Sequence, residues 1–221
     1  RREDYDPIKH NPKGLSTGLF NSASFMDEML NDLGIESALE VAIDNNCIDR
    51  LVTQHRPTHV IIEALWVVPS KFSVLTKLHP NVRWIVRLHS EMPFMAGEGM
   101  AMDWLGDYLR FKNVLIGVNA PRMMQELTDY ATAKYGKSIK EKIIYLPNFY
   151  PQEYKTKTLD KTKEHIDIGC FGALRPMKNH IGQAIAAIKF AQDMNRNLRF
   201  HINAKSDDGN DNVLKSLRAL F

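Results

Sequence analysis

Apolar positions along the 221-residue chain follow two alternating rhythms. Short runs rich in β-branched and aromatic residues predict strands over 38–43, 58–65, 82–88, 114–118, 143–146, 166–171 and 198–203. Between them, apolar residues recur at helical spacing. The first such stretch carries Phe25, Met26, Met29, Leu30 and Leu33, and Gly34 is placed to close it in a left-handed cap. Further helices are predicted over 47–55 and 178–194, from Pro69 to about 78, from Pro93 to about 111, from Pro121 to near Gly136, and from about Asn210 onward. The helix after Lys178 shows an apolar stripe at Ile181, Ala184, Ile185, Ile188 and Ala191. Strands and helices in alternation predict βαβ units and a parallel sheet, hence an α/β fold.

A compositional break interrupts this rhythm once. Residues 151–165 are polar and lysine-rich, with Lys155, Lys157, Lys161 and Lys163, and read as a solvated linker. The chain divides accordingly into a Rossmann-like N-terminal domain over 1–150, a hinge over 151–165, and the beginning of a second Rossmann-like domain over 166–221. The Gly14–Gly18 loop has the character of a strand-to-helix turn, yet no strand is read ahead of it. The second segment holds only two predicted strands. The expectation is therefore part of a longer two-domain protein.

Composition narrows the class. At 44% hydrophobic and 25% charged, the chain is an ordinary globular one, and a net charge of +3 is too small to argue for a nucleic-acid surface. Cys47 and Cys170 match no metal or redox spacing and imply no disulfide scaffold, so a reducing cytoplasm is the expected compartment. No apolar run approaches the roughly 20 residues of a membrane span, and RREDYDPIKH at the start lacks the apolar core of a signal peptide. The histidines show no paired metal-ligand spacing, so no protein-held metal is expected. A GxxxxGK[ST] loop and a GxSxG elbow are both absent, which excludes a P-loop nucleotidase and weakens a hydrolase reading.

Open parallel sheets bind ligands beyond the carboxyl ends of their strands, so the residues following each strand are the candidates. They are Gly14, Ser16, Thr17 and Gly18 in the first loop, then Glu63 and Trp66, His89 and Glu91, and Asn119. In the second segment they are Gly172, Arg175 and Lys178, and then Asn203. Arg175 and Lys178 stand at a helix entrance, where the macrodipole disfavours cations, and a bound anion would resolve that conflict. This turn reads as a phosphate cradle. His89 reads either as a group near the reacting centre or as a loop histidine held by local hydrogen bonds. Glu63, an acid inside an apolar strand, requires a partner, whether structural or in a site. Glu91 is an acid–base candidate or simply an exposed carboxylate.

The order of motifs carries a resemblance. A glycine loop, an α/β domain, a strand ending at His89, a PN hinge and then strand–GxLRPxKN–helix together resemble GT-B-fold glycosyltransferases of the retaining, nucleotide-sugar-dependent group 1 type. KIIYLPNFY at 142–150 is similar to the segment leading into the family's interdomain hinge, with Phe149 where glycine is usual. GCFGALRPMKNHIGQAIAAI at 169–188 is similar to the start of the donor-binding domain. Ala173 stands where many members have arginine, and Arg175 follows two residues later. GLSTGL, DNNCIDR, IIEALWVVPSKF and RLHSEMPF are similar to glycosyltransferase-like proteins encoded by bacteriophages, which implies the host cytoplasm as the compartment.

The resemblance implies a GT-B-like fold and transfer of a sugar from a nucleotide-diphosphate sugar to a hydroxyl acceptor, with retention and without a tightly bound cofactor. Lys178 and Arg175, with Gly172, would bind the donor diphosphate. Gly14, Ser16, Thr17 and Gly18 would face it from the other domain, and His89 would approach the donor sugar. The acceptor is left open among a DNA base, a glycan, a lipid and a protein. The family's paired glutamates lie deeper in the second domain than Phe221, so this stretch alone is expected to be inactive. Two rivals remain: a non-catalytic GT-B-like binding or virion-associated module, and a GT-B-like sugar-phosphate epimerase.

Overall fold

The structure is a computed structural model that describes residues 18–42, 44–97, 99–151, 164–172, 174–203 and 211–221. Gly14, Ser16 and Thr17, most of the predicted linker and most of the predicted turn over 206–212 lie outside the described residues. The chain forms two compact units, Arg1–Glu153 and Tyr154–Phe221.

In the first unit, helix α1 (Gly18–Asp32) and helix α2 (Cys47–His55) precede a regular alternation. Strand β1 (His59–Glu63), α3 (Pro69–Leu78), β2 (Arg83–Leu88), α4 (Met92–Ala96), α5 (Ala101–Leu109), β3 (Val114–Val118), α6 (Pro121–Tyr135), a 3-10 turn (Lys137–Lys142) and β4 (Ile143–Tyr145) follow in order. The four strands form one sheet in the order β1-β2-β3-β4, with every neighbouring pair parallel. Ile61, Ile85 and Leu115 lie abreast in the ladder. A parallel sheet with helices between successive strands is consistent with a Rossmann-like unit.

Local chemistry explains the elements. Every residue of β2 from Trp84 to Leu88 is buried, as expected of a central strand covered on both faces. Pro69 and Pro121 open α3 and α6 at the first turn, where a missing N–H costs nothing. Gly34, at φ 78°, ends α1, and the N–H of Ile35 returns to the Leu30 carbonyl at 2.9 Å. The end of α5 is closed by a side chain: Lys142 Nζ donates to the carbonyls of Leu109 and Phe111 at 2.7 and 2.6 Å. Burial at that position pushes the Lys142 ammonium below the usual lysine range. In the core, Phe72 meets Trp84 and Tyr108 edge-on at centroid distances of 5.7 and 5.5 Å. Each such pair contributes about 0.5–1.5 kcal/mol beyond its buried area.

One predicted strand is absent. Residues 35–42 form no regular element and have no ladder partner among the described residues, and Ile43 lies outside them. Leu33, Ile35 and Val41 are 69%, 53% and 40% exposed. Alternation of apolar residues is a local property, whereas a strand needs a neighbour to take its hydrogen bonds.

The second unit holds β5 (His165–Cys170), a 3-10 turn (Pro176–Lys178), α7 (His180–Asp193), β6 (Asn197–Ile202) and α8 (Asp211–Leu220). β5 and β6 pair in parallel. Phe200 and Ile202 pack against a core of Leu174, Ala184, Val213 and Leu217 contributed by the turn and both helices. The predicted stripe of α7 holds at Ala184 and Ala191, with Ile181 packed against the core, and is corrected at Ile185. Ile185 is 53% exposed, and the buried residues are His180, Ala184, Ala187 and Ala191. The alanines present a smooth face on which the core can close tightly, leaving the larger Ile185 outside. Among the described residues, no helix is long and apolar enough to cross a membrane.

Candidate functional site

The carboxyl edge of the first sheet carries a polar cluster built around Arg87. Arg87 is the fifth residue of β2, and its side chain is fully buried. A guanidinium has five N–H donors, and here each finds an acceptor. Nε donates to the Leu146 carbonyl at 3.4 Å, Nη1 to Ser22 Oγ at 3.1 Å and Glu63 Oε1 at 2.9 Å, and Nη2 to the Pro147 carbonyl at 2.9 Å and Asn148 Oδ1 at 2.7 Å. Ser22 Oγ donates in turn to Asn148 Oδ1 at 3.2 Å. One side chain thereby joins α1, β1, β2 and the segment after β4.

Glu63 ends β1 and uses both carboxylate oxygens. Oε1 accepts from Arg87, and Oε2 is hydrogen-bonded to His89 Nε2. Ala64, immediately after it, takes the left-handed conformation at φ 64° and donates its N–H to the Arg87 carbonyl at 2.8 Å. A non-glycine residue held there stores strain of order 1–3 kcal/mol, which the surrounding cluster must hold in place. With Glu63 as acceptor, a neutral His89 carries its proton on Nε2 and leaves Nδ1 as an acceptor. The His89 side chain is 17% exposed, so solutes reach it only over a small area. Chemically, this is an oriented imidazole at the end of a parallel strand.

The other candidates of this unit are dispersed in role. Trp66 is 52% exposed beyond β1. Glu91 precedes α4, and its carboxylate pairs with Arg122 of α6. Asn119 follows β3 and is partly buried. Gly18 is the exposed first residue of α1. A depression of about 590 Å³ lies at the opposite, amino-terminal edge of the sheet, lined by Thr76, Arg83, Lys112, Asn113 and Glu141. It contains none of the candidate residues and lies at the edge that parallel sheets do not use for ligands.

In the second unit, the corresponding edge is the turn between β5 and α7. Gly172 has φ 137°, a conformation that favours glycine, and its N–H donates to Asn203 Oδ1 at 2.8 Å. Asn203 directly follows β6, so the ends of both strands are tied together. Arg175 is extended and partly buried at the start of the 3-10 turn, and Lys178, at its end, is exposed. Lys178 Nζ has no ion-pair or hydrogen-bond partner among the described residues. Asn179 takes φ 53° and makes no side-chain cap to α7, and the first α7 amide bonded back to this turn is that of Gln183, to the Asn179 carbonyl at 3.1 Å. Gln183 braces the turn from the helix side: Nε2 donates to the Lys178 carbonyl at 2.8 Å, and Oε1 accepts from Cys170 Sγ at 3.0 Å. Burial pushes the Cys170 thiol above its usual range, which makes it an inert core group.

Sequence reasoning brings Glu63 and His89 to one edge but misses Ser22, Asn148 and the hub role of Arg87. The available signal was a charge inside an otherwise apolar strand. It also misses an exposed polar face on β5 and β6, where Asp167 takes His201 Nε2 at 2.7 Å and Arg199 Nη1 lies 2.8 Å from His165 Nε2. The alternation of these residues along both strands was legible. No protein-family model, no curated protein and no solved structure matches the chain.

Proposed function

We propose that this chain carries acceptor-side and donor-side units of a GT-B glycosyltransferase. In that reading it takes part in moving a sugar from a nucleotide-diphosphate sugar to a hydroxyl acceptor with retention. One observation carries the reading: Lys178 is a cation without a partner among the described residues, just ahead of a helix whose N-cap residue makes no side-chain cap. Without an anion this is the wrong charge at the positive end of a dipole. With a diphosphate in the turn, the ammonium and the amides converge on the charge that develops on the leaving group, and fixed donors of this kind lower the barrier to its departure. Gly172 supplies close backbone approach, and Arg175 a second cation.

In the first unit, His89 serves the sugar. Glu63 holds its Nε2 proton, so Nδ1 is free to accept a hydrogen bond from a sugar hydroxyl. Arg87 holds Glu63 in turn and does not itself need to touch substrate. A retaining transfer of this type calls for no protein nucleophile. The acceptor class stays open among nucleic-acid base, glycan, lipid and protein.

The test is donor affinity in the intact protein. Lys178→Ala is expected to weaken nucleotide-diphosphate sugar binding by about tenfold or more, as measured by calorimetry, because a charge-assisted contact is lost. Unchanged affinity would remove Lys178 from the site. Mass analysis of products with candidate acceptors then separates transfer from epimerisation or simple binding.

A further inference from the structure

Strands β5 and β6 turn one face to the core. Ile166 and Cys170 are buried on that side, and Phe200 and Ile202 pack there against the helices. The alternate residues stand on the opposite face, which brings His165, Asp167, Arg199 and His201 together in the open. The two histidines hold opposite hydrogen-bonding roles. His201 Nε2 lies 2.7 Å from Asp167 Oδ1, and a carboxylate only accepts, so this ring donates. Arg199 Nη1 lies 2.8 Å from His165 Nε2, and a guanidinium only donates, so this nitrogen is an unprotonated acceptor. The same Nε2 faces Asp167 Oδ2 at 3.5 Å. Two further charges flank the group at the amino ends of the strands and are engaged elsewhere. Arg196 Nη2 donates to the His165 carbonyl at 3.1 Å, and Glu164 Oε1 accepts from the Asn197 side chain at 3.1 Å.

We propose that His165 is a proton-sensitive latch on Arg199. Imidazoles change charge near a pH of about 6.5. Once His165 Nε2 takes a proton it can no longer accept from Arg199, and two cations stand in contact. The same proton turns Nε2 into a donor toward Asp167 Oδ2, the carboxylate oxygen already facing it. Arg199 is thereby released to solvent. The bond from His201 to Asp167 survives, because that ring donates in either state. The face passes from one cation and one anion to three cations around one carboxylate, a surface suited to an anionic group. The latch uses no residue of the donor turn and stands independently of the transferase reading.

The test is an NMR titration of the intact chain from about pH 8.5 to 5, which brackets the histidine range. At the basic end His165 is expected as the Nδ1–H tautomer and His201 as the Nε2–H tautomer, read from their ring nitrogen shifts. The guanidinium signals of Arg199 are expected to shift on acidification with the midpoint of His165. His165→Phe is expected to abolish that shift. His201→Gln, which keeps a donor for Asp167 but does not titrate, is expected to leave it in place. An Nε2–H tautomer at His165 at the basic end would overturn the latch. So would Arg199 signals that ignore the His165 transition, or that still shift in His165→Phe. The tautomer and the shared midpoint are read in the wild-type chain, so the decision does not depend on how the variants fold.

Discussion

At the end of β2, Arg87 is fully buried and all five of its donors are engaged. At the start of α7, Lys178 has no side-chain partner among the described residues, and neither ring nitrogen of buried His180 has a hydrogen-bond partner there. Both corners lie at the carboxyl ends of parallel strands, where the general rule for such sheets places ligands. The rule alone does not tell them apart, but hydrogen-bond satisfaction does. A cation taken wholly out of water must be compensated inside the protein, and once it is, no capacity remains for a ligand. A corner that leaves its charge and its donors unspent is suited to an anion that arrives from solution. In the proposed reading the first corner works as scaffold, with His89 at its margin serving the sugar, and the second as a binding turn.

The strongest way to break this contrast is to remove Arg87. Arg87→Ala is expected to destabilise the first unit by about 3–5 kcal/mol, read from denaturant or thermal unfolding, because Glu63 and the carbonyls of Leu146 and Pro147 lose their donors. Arg87→Lys should not restore the loss, since an ammonium offers three donors where five are needed. Wild-type stability in either variant would show that the cluster does not hold the unit together.

A smaller effect of opposite sign is expected at the open corner. Lys178→Glu should raise stability by about 0.3–1 kcal/mol in the absence of ligand, by placing an anion ahead of α7, while abolishing pyrophosphate binding. A loss of stability would mean that Lys178 already has structural work, and the contrast would fail.

The smallest effect sharpens the comparison on the exposed face of β5 and β6. Asp167 is held below the ordinary aspartate value of 3.8, chiefly by the hydrogen bond from His201. A depressed carboxyl stabilises the fold above that ordinary value, and the contribution is lost as pH falls below it toward the folded-state pKa. His201→Ala is expected to move the Asp167 titration upward, followed by carboxyl carbon shifts in an NMR titration. An unmoved titration would assign the effect to His165 and Arg199 instead.

Much of the fold is legible from local signals. The helix from Cys47 to His55, the proline-opened helices at Pro69 and Pro121, and the strand from Val114 to Val118 follow from periodicity and caps that neighbouring residues supply. The site is legible more coarsely. A charge in an apolar strand and a histidine just beyond it announce a polar edge, but the identities of their partners do not follow. Ser22 and Asn148 are 65 and 61 residues from Arg87 along the chain, and no local pattern connects them.

The sequence by itself determined the order and kind of most elements, the parallel character of the sheets, and the presence of cations at a helix entrance. These are consequences of side-chain period, β-branching, proline and glycine, which act within a few residues. Only the tertiary structure decided that 35–42 stays unpaired, that the alanine face of α7 is the buried one, that Arg87 is spent and that His180 is not. Each of those outcomes depends on which groups meet across long separations in the chain. A hydrogen bond or a packed face exists only when both partners are brought together, and that information is distributed over the whole chain.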